Sequence, residues 1–241
     1  MARRGRPEGA PGMALIARLQ ETARAARTHG FGAALAALVL GPTQYRAFEM
    51  ARVVEPMLEA PPDRSVLSPL ERGFATCSDI YAHLPTLYRI TRDRNLRRVL
   101  ELGTRTGEST VALLSAAREI GGHVTSVDLE PCPDAEARVR GAGLEAFWTF
   151  LRADDLALDW EEPIDHLFID TSHEYDHTVQ ELRRFEPLVS PAGVITMHDT
   201  TSRPEVWRAI EDHFRGRRDA RIFRYYHNNG LALIERAKSK D

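Results

Sequence analysis

Between residues 99 and 235, short apolar runs alternate with amphipathic stretches. Residues 175–188 and 205–214 have apolar side chains on one face at helical spacing, which predicts two amphipathic helices. Apolar runs that each contain or end in an acid predict buried strands, over residues 99–102, 123–129, 147–155, 165–170 and 193–199. Helices that alternate with near-continuous apolar strands indicate a parallel sheet covered on both faces.

The pattern changes near the C-terminus. Residues 222–227 and 231–235 predict two strands joined by Asn228-Asn229-Gly230, a typical hairpin sequence. The turn residues at 190–193 predict the end of the helix before them. The expected fold is therefore α/β: a Rossmann-like, doubly wound, mostly parallel sheet with a C-terminal antiparallel hairpin and an N-terminal helical extension.

The N-terminal segment has a different composition. Residues 1–12 are rich in Arg, Gly and Pro and predict a disordered tail, residues 13–95 a helical extension, and residues 96–241 the Rossmann-like domain. The apolar run at 31–40 is too short to span a bilayer, which takes about 20 residues, and it lies too far from the start for a signal peptide. We expect no membrane association, and a homo-oligomer formed through the N-terminal helices.

Net charge and cysteine content argue against several classes of function. The formal net charge is −3, and the arginines are interspersed with acids, so no basic stripe predicts nucleic-acid binding. The two cysteines, Cys77 and Cys132, form no Cys-x-x-Cys pair, which argues against a zinc knuckle or a disulfide framework. A reducing cytoplasm is the expected compartment.

A glycine loop follows the first predicted strand. Its spacing is Glu101-x-Gly103-x-x-x-Gly107, which differs from the dinucleotide pattern Gly-x-Gly-x-x-Gly. Gly103 can adopt backbone angles closed to other residues, and Gly107 allows the next helix to start close to the ligand and the sheet. Asp128, at the end of the second strand, is placed to accept hydrogen bonds from the ribose hydroxyls of an adenosine.

Three motifs together indicate a resemblance to a known family. They are Asp79-Ile80 with His-Leu-Pro-Thr-Leu-Tyr at 83–88, the glycine loop through Thr110, and Asp170-x-x-His173. From residue 78 to residue 235 the chain resembles class I S-adenosylmethionine (SAM) dependent methyltransferases. Within that class it is similar to the group that includes macrolide-sugar O-methyltransferases and cephalosporin-hydroxylase-like proteins. The resemblance implies SAM as cofactor and, as acceptor, a hydroxylated small molecule such as a sugar or a secondary metabolite.

The resemblance also implies a set of cofactor-binding residues. Asp128 would bind the ribose, and Asp154 or Asp155 would face the adenine amino group. The full set is Glu101, Gly103, Thr104, Gly107, Ser109, Thr110, Asp128, Asp154, Asp155 and Asp170.

Two routes for removing the proton of an acceptor hydroxyl remain open. In one, His173 is the general base and works beside Asp170, because an imidazole titrates near neutral pH. In the other, Asp170, His198 and Asp199 hold a divalent metal such as Mg²⁺ or Mn²⁺, which lowers the pKa of the bound oxygen. The family places an acid or amide at position 198, and an imidazole there suits manganese, iron or zinc better than magnesium.

Other functions stay possible on the sequence alone. A SAM-dependent N-methyltransferase, a SAM-binding protein that does not methylate and a non-catalytic Rossmann-like module are the alternatives. The glycine spacing argues against an NAD-linked oxidoreductase. His177 has no obvious third ligand near it in the sequence, so we expect it to face solvent.

Overall fold

The computed structural model describes residues 67–236, together with Leu19 and Ala23, which are helical and exposed. The chain divides into two compact units, and residues 67–236 lie in the second, Val54–Asp241. The predicted tail, the alanine-rich helices at 13–40 and the oligomer interface assigned to them lie outside the described residues apart from Leu19 and Ala23. No helix in the described part of the chain has the length and apolar character needed to cross a bilayer.

The sheet has seven strands in the order β3-β2-β1-β4-β5-β7-β6. Neighbouring strands from β3 through β5 are parallel, and β7 is antiparallel to both β5 and β6. The strands are β1 (Arg98–Leu102), β2 (His123–Asp128), β3 (Trp148–Arg152), β4 (Ile164–Ile169), β5 (Val189–His198), β6 (Ala220–Tyr225) and β7 (Leu231–Arg236). This topology confirms the predicted Rossmann-like α/β fold.

Of the α-helices in residues 67–236, two precede β1 and four lie in connections between strands. The apolar spacing predicted the last two of them, over residues 175–188 and 205–214. The helices are α1 (Pro69–Phe74), α2 (Leu84–Asp93), α3 (Glu108–Ile120), α4 (Pro133–Ala142), α5 (Tyr175–Phe185) and α6 (Pro204–His213). A 3₁₀ turn at Tyr81–His83 leads into α2, and another at Glu186–Leu188 follows α5.

The core lies on both faces of the sheet, because alternate residues of a strand point to opposite sides. On one face, Leu100 and Leu102 of β1 pack in a cluster with apolar residues of α5 and α6, such as Phe185 and Ile210. On the other face, Val99 belongs to a cluster with α2, α3 and α4. Burial on both faces explains why the central strands are almost continuously apolar.

The strand order reverses between β1 and β4, and this opens a crevice at their carboxyl ends. Gly103 follows β1 with a φ of 87°, and a Cβ at this position would lie 2.1 Å from the carbonyl oxygen of Asp170, which follows β4. The Asp170 amide also donates a hydrogen bond to the Leu102 carbonyl. The backbone after β1 is therefore in direct contact with the backbone after β4.

The turn predicted at residues 190–193 is instead part of β5. Ile164 pairs with Val189 and His166 pairs with Val194, so the residues between Val189 and Val194 form an irregularity in the strand. The predicted hairpin is confirmed: Asn228, Asn229 and Gly230 all have positive φ angles, which turn the chain between β6 and β7.

Replacing Gly103 with Ala should destabilise the protein by about 3 kcal/mol or more, because the new methyl group must displace the Asp170 carbonyl as well as adopt a left-handed backbone. Gly143 is the matched control, since its φ is 65° but a Cβ there would meet nothing within 4 Å. Gly143→Ala should cost only about 1 kcal/mol. Urea unfolding of the two variants measures the difference, and equal losses would contradict the close contact.

Candidate active site

A cavity of about 290 Å³ opens at the carboxyl ends of the central strands. It lies at the point where the strand order reverses, which is where open α/β sheets bind their ligands. The residues that line it come from the ends of the first four strands and from the segments on either side: Ile80, Gly103, Thr104, Arg105, Thr106, Glu108, Ser109, Val127, Asp128, Leu129, Ala153, Asp155, Asp170, Thr171, Ser172, His173 and His177.

Asp128 fixes the glycine loop from the end of β2. Its Oδ2 accepts hydrogen bonds from the backbone amides of Thr104 (2.8 Å) and Arg105 (3.0 Å), and its Oδ1 accepts one from the amide of Glu130 (2.9 Å). Burial alone would raise the pKa of Asp128, but these amide donors outweigh it and lower the pKa. The carboxylate is therefore ionised and faces the cavity in a fixed orientation.

Glu101 lies behind the loop and is fully buried. Its carboxyl accepts hydrogen bonds from the hydroxyls of Ser109, Thr110 and Ser126. Burial raises the pKa of Glu101 to about 7, although the three hydroxyls partly offset this effect. The structure thus places Glu101 as a link between β1, β2 and the start of α3, and its side chain does not line the cavity.

Some of the other predicted cofactor-binding residues line the cavity, and the rest, like Glu101, do not. Gly107 has a φ of 77°, and its close contact is with Ala135 of α4, since a Cβ would lie 2.8 Å from Ala135 Cα. Asp154 is exposed and caps the 3₁₀ turn after β3, whereas Asp155 is buried and lines the cavity. The predicted residues that line the cavity are Gly103, Thr104, Ser109, Asp128, Asp155 and Asp170, and those that do not are Glu101, Gly107, Thr110 and Asp154.

Two acids and two histidines meet at the ends of β4 and β5; we call Asp170, His173, His198 and Asp199 the acid–imidazole cluster. His173 Nε2 lies 3.2 Å from Asp170 Oδ1 and 2.8 Å from Asp199 Oδ2. His198 Nδ1 lies 3.4 Å from Asp170 Oδ2. The nitrogen of His173 is thus held between two carboxylates.

Each charge in this cluster stabilises its opposite. Hydrogen bonds that His173 donates to the Asp170 and Asp199 carboxylates raise the pKa of His173 to about 9. Burial acts to raise the pKa values of both acids, but His173 and its neighbours lower them below their ordinary values. Burial likewise acts to lower the pKa of His198, and the Asp170 carboxylate reverses the shift. Both acids are consequently ionised beside strongly basic imidazoles.

Backbone strain is also concentrated here. His173 and Asp199 adopt left-handed backbone angles, with φ values of 63° and 57°. A left-handed residue other than glycine costs free energy, and such residues persist where the surrounding structure holds them in place. The strain sets the His173 imidazole and the Asp199 carboxylate against each other at 2.8 Å.

The donors of the acid–imidazole cluster fit a divalent transition metal. Asp170, His173 and Asp199 each offer a ligand atom within 4.8 Å of the other two. His198 Nε2 lies 3.2 Å from the Asn228 carbonyl, which can only accept a hydrogen bond, and so Nδ1 is the nitrogen directed to Asp170. Two carboxylates with imidazoles suit manganese, iron or zinc better than magnesium.

Several lining residues were not predicted as cofactor or catalytic residues. Leu129 is 61% exposed beside Asp128, and an exposed apolar residue directly after a strand-ending acid was the available signal. Ile80 belongs to a motif used only for the resemblance. The prediction that His177 faces solvent was wrong: its Nε2 lies 3.1 Å from Asp155 Oδ2.

Residues 100–200 match the model of a family described as a methyltransferase domain. The matched segment begins in β1 and ends just after Asp199, so it contains the glycine loop and the acid–imidazole cluster. With the seven-stranded fold, this match supports a SAM-dependent methyltransferase with a class I fold. The class predicted from the sequence motifs is therefore confirmed.

Solved structures share the fold at low sequence identity. The O-methyltransferase from Bacillus cereus in complex with S-adenosylhomocysteine (SAH) matches with a TM-score of 0.59 and 18% identity, over 80% of this chain and 100% of that one. TomG, an O-methyltransferase of Streptomyces achromogenes involved in tomaymycin synthesis, matches with a TM-score of 0.55 and 19% identity, over 80% and 98%. The SAH-bound methyltransferase PaMTH1 of Podospora anserina has a TM-score of 0.57 and 14% identity, over 98% and 100%. Comparison with curated proteins gives no significant match.

The buried Glu101 predicts a pH dependence of stability. Its pKa is about 7 in the folded protein and near 4.5 in an unfolded chain. Between pH 4.5 and pH 7 the folded protein therefore keeps a proton on Glu101 that the unfolded chain has lost. The free energy of unfolding should fall as pH rises from 5 to 7, by up to about 1.4 kcal/mol per pH unit from this residue. Glu101→Gln should lose this slope.

Urea unfolding of the wild type and the Glu101→Gln variant at pH 5 and pH 8 measures the effect. The exposed Glu145→Gln is the control and should keep the wild-type slope. Parallel pH profiles for the wild type and Glu101→Gln would show that the buried carboxyl does not retain its proton.

Proposed function

We propose that the protein is an O-methyltransferase that transfers the methyl group of SAM to a hydroxyl of a small molecule, a sugar or a secondary metabolite. The observation that carries this proposal is the position of His173. Its imidazole lies between two ionised carboxylates at the edge of the cavity, where a base for a hydroxyl proton is needed. The sequence resemblance supports the acceptor class.

The cavity is suited to SAM in several respects. Gly103 has no side chain, so the ligand can approach the backbone at the point where the strand order reverses. The ionised Asp128 supplies acceptors for the ribose hydroxyls. The exposed Leu129 side chain offers an apolar surface for the adenine ring. When bound, SAM supplies an activated methyl group on its sulfonium. The protein's task is then to align the acceptor oxygen, which accounts for up to about 7–11 kcal/mol of the barrier in well-oriented reactions.

The geometry supports a separate role for each nitrogen of His173. Nε2 faces the Asp170 and Asp199 carboxylates, which hold a proton there and set the tautomer. In the neutral form of the imidazole, which becomes more populated as the pH approaches its pKa of about 9, Nδ1 accepts the proton of the acceptor hydroxyl as the methyl group is transferred to its oxygen. The two carboxylates stabilise the imidazolium that results, in the same way that a buried aspartate supports the histidine of a catalytic triad.

An acceptor hydroxyl is favoured over an amine because of this arrangement. A neutral amine already presents a lone pair, whereas an aliphatic hydroxyl gains nucleophilicity only as it loses its proton. A histidine made more basic by two carboxylates serves the second acceptor and adds little for the first.

Metal assistance remains part of the proposal. Asp170 and Asp199 would hold the ion together with His198, the ligand set proposed from the sequence. His173 offers a further ligand atom, within 4.8 Å of those of the two acids. A divalent ion there would lower the pKa of the acceptor hydroxyl. From the donor set we expect Mn²⁺ to support turnover of chelator-treated protein better than Mg²⁺ does.

Cofactor binding is tested by calorimetric titration of SAH. Asp128→Ala should weaken SAH binding by about 10-fold to 100-fold, because hydrogen bonds to a charged group contribute about 1.5–3 kcal/mol. Asp154→Ala is the matched control: this acid is close in sequence to the lining residue Asp155 but lies outside the cavity, so its affinity should match the wild type. Equal affinities for all three proteins would show that the ribose contact is misassigned.

The base is tested by methyl transfer from labelled SAM to a panel of glycosides, phenols and primary amines. His173→Ala should reduce turnover by about 10²-fold to 10⁴-fold and leave the SAH affinity nearly unchanged. His123→Ala, which replaces an exposed histidine on β2, is the control. Undiminished turnover in His173→Ala, or methylation of amines alone, would contradict the proposed function.

A further inference from the structure

A second group of titratable side chains lies at a different part of the cavity wall, where Asp155 and His177 line the cavity and Glu181 is buried beside them. Asp155 follows β3, and His177 and Glu181 lie four residues apart on one face of α5. We call these three residues the wall cluster. None of them belongs to the acid–imidazole cluster.

The three side chains are spaced as metal ligands are. His177 Nε2 lies 3.1 Å from Asp155 Oδ2 and 3.6 Å from Glu181 Oε1, and one ligand atom from each residue lies within 4.8 Å of the others. In a tetrahedral site with bonds of about 2.0–2.1 Å, neighbouring ligand atoms are about 3.3–3.4 Å apart. The observed separations bracket that value.

Glu181 supplies an independent observation. It is 0% exposed, and its Oε1 accepts a hydrogen bond from Thr171 Oγ1 at 2.6 Å. Its Oε2 is buried and has no hydrogen-bond partner among the described residues. Burial and the adjoining Asp155 carboxyl raise the pKa of Glu181 well above its ordinary value. A buried oxygen beside a second carboxyl requires either a proton or a cation.

We infer that the wall cluster binds a divalent transition metal of the zinc type, with Asp155, His177 and Glu181 as its protein ligands. Imidazole and carboxylate are both zinc ligands, an open zinc site has three protein ligands, and the fourth position faces the cavity because Asp155 and His177 line it. Magnesium is disfavoured because it prefers six oxygen ligands. The ion would join the end of β3 to α5, and this inference does not depend on which acceptor is methylated.

The test is a titration of Co²⁺ and of Zn²⁺ into the chelator-treated full chain. Co²⁺ should give the intense visible absorption of a four-coordinate ion, and Zn²⁺ should raise the midpoint of thermal unfolding. His177→Gln and Glu181→Gln should each bind one equivalent less than the wild type. His173→Gln is the matched control, because His173 lies four residues before His177 but belongs to the acid–imidazole cluster. This variant should still bind the equivalent of metal that His177→Gln and Glu181→Gln lose.

Two results would overturn the inference. One is the absence of Co²⁺ and Zn²⁺ binding, which would leave a proton shared by Asp155 and Glu181. The other is loss of the equivalent in His173→Gln with retention in His177→Gln. If the variants do not fold, anomalous diffraction from crystals of the wild type loaded with one equivalent of zinc decides: an ion among Asp155, His177 and Glu181 supports the wall cluster, and an ion held only between Asp170 and Asp199 overturns it.

Discussion

The approach of two backbones at Gly103 and Asp170 is the contact on which the site depends. Because Gly103 has no side chain, the loop after β1 can lie directly against the carbonyl of Asp170 after β4. The same contact opens the cavity on one side and places the Asp170 carboxylate on the other. A larger residue at this position would separate the glycine loop from Asp170.

Charge balance inside the cavity follows from that placement. Asp170 and Asp199 are neighbours at the ends of adjacent strands, and two ionised carboxylates there are tolerated because His173 and His198 adjoin them. Asp128 is stabilised differently, by backbone amides of the loop that it fixes. Acids of the same type, all at strand ends, thus have separate partners and separate tasks.

Much of this arrangement could be predicted from the sequence. Acids that end successive parallel strands must meet at one edge of the sheet, and so Asp128, Asp170 and Asp199 were predictable. The Rossmann-like order followed from the alternation of apolar strands and amphipathic helices. The position of Glu101 next to the end of β1 did not reveal that its side chain turns away from the cavity toward hydroxyls of α3 and β2.

The rest depends on contacts between elements that are distant in the chain. His177 comes close to Asp155 only because α5 packs beside the end of β3, a separation of 22 residues in sequence. Residues 190–193 have turn composition but extend β5, because pairing with β4 continues on both sides of them. Local sequence specifies neither the side of a helix that faces the cavity nor the strand that holds an irregular segment.

The strand order also bears on how the chain folds as it is made. β7 is synthesised after the other strands, yet it lies between β5 and β6 in the sheet. Until residues 231–236 leave the ribosome, the apolar β5 has an open edge on that side, and open edges invite pairing with other chains. A nascent chain paused before β7 therefore exposes the edge of β5, which favours aggregation at that stage of synthesis.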